Sequence, residues 1–273
     1  VQSKDVEEIF YKFYKICSYQ KEFLEGILTQ WKRYPIQPLG LGNIYCSWSK
    51  HIQTYIEYTD NYCSALTKLS ELQKLPGFDE WLQTALSASG VTRGNVSNIA
   101  ELLIAPGRRV LYYSQFFANI VKYTFPDHKE FVNLENAHKR SKRFDEQLSI
   151  VVSHAEAVLQ VYEIQSKFDI NAPILVKPYR RFIRYGTLNE VGETKDLFVV
   201  LFNDSIVIAS TGNLSTIDRS FQFMKMLPLY KASVKAIPDH PPTFLNSFMI
   251  ATTSGVVSFS CKTSEDHTEW LES

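Results

Sequence analysis

Arg108, Leu111, Tyr112, Gln115 and Asn119 recur at steps of three and four residues, the spacing that puts side chains on one face of a helix. A guanidinium, a phenol and two carboxamides around an apolar side chain can hydrogen-bond and pack. They are poorly suited to moving protons near neutral pH or to holding a metal. The chemistry offered is recognition of another surface, although spacing alone favours an ordinary solvated face. A second group, Lys177, Arg180, Arg181, Arg184 and Lys195, gathers within residues 177–195. Several cationic donors in one place suit phosphate. The run is not dense, since Asp196 follows Lys195. Lys139-Arg140 and Lys142-Arg143 read as a solvated helix face.

Nothing else suggests an active site. His51, His128, His138, His154, His240 and His267 show no metal-ligand spacing. Gly40-Leu41-Gly42 lacks the preceding strand and third glycine of a dinucleotide loop. No Walker lysine motif and no Gly-x-Ser-x-Gly elbow occurs. The acidic pairs Asp79-Glu80 and Asp145-Glu146 fall at helix starts or on solvated faces. No catalytic side chain, metal or cofactor is therefore expected. Lys plus Arg equals Asp plus Glu at 29 each, which argues against a dedicated nucleic-acid binder. Cys17, Cys46, Cys63 and Cys261 are too sparse for a disulfide scaffold. They read as buried or half-buried side chains in a reducing, cytoplasmic compartment. Asn95-Val96-Ser97 and Asn213-Leu214-Ser215 match the glycosylation triplet, which arises by chance in many cytosolic proteins. No apolar run approaches the roughly 20 residues that span a bilayer. The opening Val1-Gln2-Ser3-Lys4 is no signal peptide and lacks Met, as a fragment or processed chain would.

The elements that must position these residues differ between two halves. A chain of 273 residues is expected to hold two domains. Through about residue 168 the apolar period is helical. Val6, Ile9, Phe10, Phe13, Ile16, Cys17, Phe23, Leu24 and Ile27 predict a first helix, ended by Pro35, Pro38, Gly40 and Gly42. A second is expected from Ile44 or Trp48 to Leu72, with Ile52, Tyr55, Ile56, Cys63, Leu66 and Leu69 inward. A short third carries Phe78, Trp81, Leu82, Ala85 and Leu86, and a loop follows over residues 87–95. Ser97 or Asn98 should cap the next helix, with Glu101 completing a capping box. That helix should reach Thr124, kinked or divided at Pro106-Gly107. A last long helix is expected from Pro126-Asp127 toward Phe168.

After Asn171-Ala172-Pro173 β-branched and aromatic runs take over. Strands are expected over residues 197–202 and 206–208 around an Asn203-Asp204-Ser205 turn. Further strands fall over residues 221–226, 233–237, 248–252 and 256–261, the last two joined at Thr253-Ser254-Gly255. Ser264 should start a closing helix with Trp270 and Leu271 inward. The expected architecture is an elongated all-α bundle over 1–170, then a seven-stranded β-barrel or sandwich with a C-terminal helix over 171–273.

Leu102-Leu103-Ile104-Ala105-Pro106-Gly107-Arg108-Arg109-Val110-Leu111-Tyr112-Tyr113 resembles the most characteristic helix of the Dbl-homology family of Rho guanine-nucleotide exchange factors. Pro106, Arg109, Val110 and Tyr113 match the family pattern, and Phe116 and Phe117 replace its leucines. Lys122-Tyr123-Thr124, Glu8-Ile9-Phe10, Gly42-Asn43-Ile44 and Tyr55-x-x-Tyr58 resemble neighbouring family stretches. Arg181 to Leu188, the hairpin around Asp204 and Trp270-Leu271 resemble the partner pleckstrin-homology domain. Nearly the whole chain is covered. Each motif is weak alone, and their order and spacing together are strong.

The resemblance implies a regulator, not an enzyme with side-chain catalysis of its own. Its partner would be a Rho/Rac/Cdc42-type small GTPase, bound through Arg108, Leu111, Tyr112, Gln115, Asn119, Glu146 and Ser149. It implies phosphoinositide binding at Lys177, Arg180, Arg181, Arg184 and Lys195, and attachment to a membrane or the actin-rich cortex. Three positions depart from the family. Its first conserved helix, with a switch-contacting Glu, would precede Val6. Tyr112 stands where a Lys is usual, and Ser149 where spacing puts an Asn. A non-catalytic scaffold that binds a GTPase, and a phosphoinositide-binding adaptor, stay open beside the exchange factor.

Overall fold

The computed structural model describes residues 2–88, 98–193, 195–211, 221–240 and 245–273. The chain divides into two compact units, Val1–Leu159 and Gln160–Ser273. As expected, helices build the first, and a seven-stranded antiparallel sheet with a closing helix builds the second.

The helices are α1 (Ser3–Ile9), α2 (Phe13–Trp31), α3 (Leu41–Trp48), α4 (Ile52–Asp60), α5 (Tyr62–Leu72), α6 (Phe78–Ala88), α7 (Ile99–Lys122) and α8 (Phe131–Gln165). The single first helix expected from periodicity is two. Lys12 adopts φ of 56°, a left-handed conformation that ends one helix and starts another out of phase. The apolar stripe is reset, so Val6, Cys17 and Leu24 are exposed rather than inward. The second expected helix is likewise α3 to α5, interrupted by a 3-10 turn at Ser49–His51 and by Asn61. On α6, Phe78 and Leu82 are buried, but Trp81 and Ala85 face solvent. α6 runs to Ala88, where a loop was expected, and residues 89–97, including Ser97, lie outside the described residues. So does the Asn213-Leu214-Ser215 triplet. α8 starts at Phe131, five residues after Pro126, because residues 123–130 form turns.

One aromatic core ties α2, α3, α7 and α8 together. Tyr45 lies 4.5 Å from Phe117, and Trp48 meets Tyr113 edge-on at 5.3 Å. Phe23, Leu134, Ala137, Leu148 and Val152 complete it. Such tilted and edge-on pairs add attraction beyond area burial. Pro106 does not divide α7, which continues through it for 24 residues, about 36 Å. The proline's lost hydrogen bond is offset by tertiary contacts on either side. The phenols of Tyr58 and Tyr62 donate to the carbonyls of Leu103 (2.7 Å) and Ala100 (2.9 Å). Gly107 allows the close approach of α4 and α8: a Cβ there would lie 2.6 Å from Thr59 Oγ1 and 3.3 Å from Val152 Cγ2.

In the second unit β1 (Phe182–Glu190), β2 (Asp196–Phe202), β3 (Ser205–Thr211), β4 (Phe221–Pro228), β5 (Ser233–Ile237), β6 (Ser247–Thr252) and β7 (Gly255–Ser260) pair in the order β4-β3-β2-β1-β7-β6-β5. Leu188, Leu197, Val199, Ile206, Phe248 and Phe259 fill the inner face. α9 (Ser264–Glu272) is capped by Thr263 Oγ1, which accepts from Asp266 N at 3.1 Å. It packs Trp270 against Gly186, while Leu271, expected inward, is exposed. β2 is buried on both faces because the segment after α8 covers the other one. Phe168 lies 6.2 Å from Phe198, which stacks on Phe221 at 3.7 Å. Asp169 N donates to the Phe221 carbonyl at 3.0 Å, and Asp169 Oδ1 accepts from Phe223 N at 3.0 Å.

Candidate functional site

α7 is anchored on one side and open on the other. Asn98 Oδ1 caps it, accepting from Ala100 N at 3.0 Å. Leu103, Ile104, Gly107, Val110, Tyr113 and Phe117 are buried, and this 3-and-4 stripe fixes the helix's rotation. Tyr112, Gln115 and Asn119 are consequently turned to solvent, Tyr112 being 65% exposed. Gln115 Nε2 donates to Asn119 Oδ1 at 3.1 Å, so the two amides are aligned along the face.

Arg108 and Leu111 sit on the flank. Leu111 packs partly against the core. Arg108 donates from Nη1 to Glu101 Oε2 at 2.7 Å and from Nε to Glu156 Oε1 at 3.1 Å. Glu101, expected to close a capping box, is thus drawn to Arg108. Burial alone would lower the arginine's pKa, but hydrogen bonds to the two carboxylates outweigh it and raise it. Arg108 braces α7 against α8 instead of standing free for a partner.

Gly107 faces Val152 and Arg108 pairs with Glu156, so the middle of α7 lies against α8. Ser149 is half-buried and donates from Oγ to the Glu146 carbonyl at 3.3 Å; Glu146 itself is exposed. Two further apolar side chains of these helices are open to solvent, Phe116 at 46% and Ile150 at 63% exposed. Ile150 could have been found as the large aliphatic lying off the buried Leu148-Val152-Ala155 stripe.

The basic cluster behaves differently, and Arg180 drops out of the expected phosphate site. Arg180 is 1% exposed. Its Nε and Nη2 donate to the two carboxylate oxygens of Asp204 at 2.8 and 2.7 Å, and Nη1 donates to the Leu175 carbonyl at 3.1 Å. Buried to this degree, it is closed to a headgroup. Burial alone would raise the pKa of Asp204, but the Arg180 hydrogen bonds and charge outweigh it and hold the carboxyl below its usual range. Arg181 Nη1 is bonded to the carbonyls of Pro178 and Arg180, each at 2.9 Å. Arg184 lies over the Trp270 ring at 4.7 Å and donates to Glu269 at 2.8 Å. Lys177 sits 5.8 Å from the Tyr179 ring, and Lys195 is exposed.

Among the described residues no group of three or more His, Cys, Asp or Glu side chains could hold a metal ion. The described helices include none long and apolar enough to cross a membrane.

Residues 1–149 match the family described as "RhoGEF domain". The chain is 22% identical over 99% of its length to "Rac guanine nucleotide exchange factor JJ" of Dictyostelium discoideum, and 25% identical over 94% to "Guanine exchange factor for Rac 30" of the same organism. It spans 23% and 16% of those relatives. A solved structure of the DH/PH domains of p115-RhoGEF superposes over 99% of this chain and 81% of that one, with a TM-score of 0.52 at 14% identity, which shows a shared fold. With the matched stretch holding all of α7 and the Ser149 turn of α8, the chain belongs to the RhoGEF domain family.

Proposed function

We propose that this chain is a guanine-nucleotide exchange module for a Rho-family small GTPase, with α7 and α8 as the contact surface. Tyr112, held out from a helix whose opposite side is locked into an aromatic core, is the observation that carries this reading. A GTPase grips its nucleotide through a phosphate loop, Mg²⁺ and two switch segments. A rigid surface that engages the switches best when the nucleotide is gone must, by linkage, weaken nucleotide binding by the same factor. No proton transfer or covalent step is required of the module.

The surface that would do this is more apolar than the family pattern implies. Tyr112, Phe116 and Ile150 offer area for packing, Gln115 and Asn119 offer hydrogen bonds, and Arg108 holds the two helices in register. A large buried aromatic in such an interface is worth about 2 kcal/mol or more. The naming of several relatives as Rac exchange factors favours a Rac-type partner. Release of a fluorescent guanine nucleotide from Rho-, Rac- and Cdc42-type GTPases tests the reading. Acceleration of at least one supports it, and no acceleration of any opposes it.

Phosphoinositide binding by the second unit is a narrower reading. With Arg180 buried on Asp204, it rests on Lys177, Arg181, Arg184 and Lys195 and predicts weak affinity.

A further inference from the structure

Two turns meet at one end of the helical unit: residues 31–42 between α2 and α3, and residues 122–132 between α7 and α8. The first turns of α3 and α8 touch there. Gly42 is buried, and a Cβ on it would overlap the backbone of Asn133. Around this junction six large apolar side chains stand in water: Trp31, Tyr34, Ile36, Tyr123, Phe125 and Val132. Their exposure runs from 58% for Tyr34 to 92% for Ile36. Scattered exposed apolar residues are ordinary, but this many on two adjoining turns mark a surface that is covered in use.

Their company indicates by what. Lys32, Arg33, Lys122 and Lys129 are all exposed among them. Against these four cations the two segments hold only two carboxylates, Asp127 and Glu130. Trp31 and Tyr34 stack at 6.0 Å, and Lys122 Nζ lies 5.4 Å from the Tyr123 ring centre. Aromatic rings with lysine and arginine beside them partition to the boundary between lipid headgroups and acyl chains. The rings bury apolar area there, and the cations meet anionic headgroups. Ile36 and Phe125 stand almost clear of the protein, as anchors entering a soft interface must.

We propose that this end of the helical unit is an interfacial anchor for an anionic lipid bilayer, separate from the α7–α8 contact surface. Co-sedimentation of the whole chain with phosphatidylcholine vesicles, with and without phosphatidylserine, tests it. Wild type is expected to sediment with the anionic vesicles. Trp31→Ser with Phe125→Ser, or Lys32→Glu with Arg33→Glu, should each lower binding about tenfold or more. Lys177→Ala with Lys195→Ala, on the second unit, should leave most binding in place. The altered side chains are exposed, so thermal unfolding should show all variants folded. The proposal is overturned if wild type does not sediment, if the turn variants bind as wild type does, or if only the Lys177 and Lys195 pair matters. Capture of a protein on these turns without vesicle binding would also overturn it.

Discussion

The α7 face and the basic cluster at residues 177–195 present the same kind of sequence signal, polar side chains gathered where a ligand could meet them. The fold treats them oppositely. Tyr112, Gln115 and Asn119 are left outward because the other side of α7 is consumed by the core. Arg180 is buried and spent on Asp204, and Arg184 pairs with Glu269 beside Trp270. An open surface is thus better recognised by what the helix behind it buries than by the charge it carries. Arginine, with five donors and a planar face, is readily taken up as an internal clamp.

The largest effect that would break this contrast is at Arg180. Its removal as Arg180→Leu leaves Asp204 without its bidentate partner and should cost about 3 kcal/mol of stability, read by denaturant unfolding. A variant as stable as wild type but poor at binding anionic lipid would reverse the assignment. On the other side, Tyr112→Ala should leave unfolding unchanged to within about 0.5 kcal/mol, because the ring is exposed. It should slow GTPase-coupled nucleotide release about thirtyfold, a loss of about 2 kcal/mol at the interface. Arg184→Leu is intermediate, costing about 1 kcal/mol of stability through the lost Glu269 and Trp270 contacts.

Acid sharpens the comparison most finely. The folded-state pKa of Asp204 lies below its ordinary value. The ion pair's stabilisation is therefore fully present above the usual carboxylate range and is lost as pH falls through the folded value. Asp204→Asn should be less stable than wild type at neutral pH, and the gap should narrow on acid titration. A gap that widened toward acid would contradict the clamp.

Much of this was readable from sequence. The strands β2 to β7 and both tight hairpin turns follow from β-branched runs and turn residues, and the buried stripe of α7 follows from its period. What escaped depended on groups far away in the chain. Pro106 does not divide α7 because the core packs and hydrogen-bonds that helix through Tyr58, Tyr62 and Thr59, about forty residues upstream. The Arg180 clamp needs Asp204, which sits in a turn that otherwise reads only as a turn. The break at Lys12 requires a left-handed lysine, a conformation that glycine and, less often, asparagine or aspartate signal but lysine does not. Of the candidate contact surface, Tyr112, Gln115 and Asn119 were legible, while Phe116 and Ile150 needed knowledge of what the core leaves uncovered.

The central claim is a difference in affinity between two states of one partner. Titration of the chain against a Rac-type GTPase, once stripped of nucleotide and once loaded with GDP and Mg²⁺, measures it directly. Binding to the stripped form should be about 100-fold tighter, with most of that difference lost in Tyr112→Ala. Equal affinity for the two forms, or a preference untouched by Tyr112→Ala, would contradict the account.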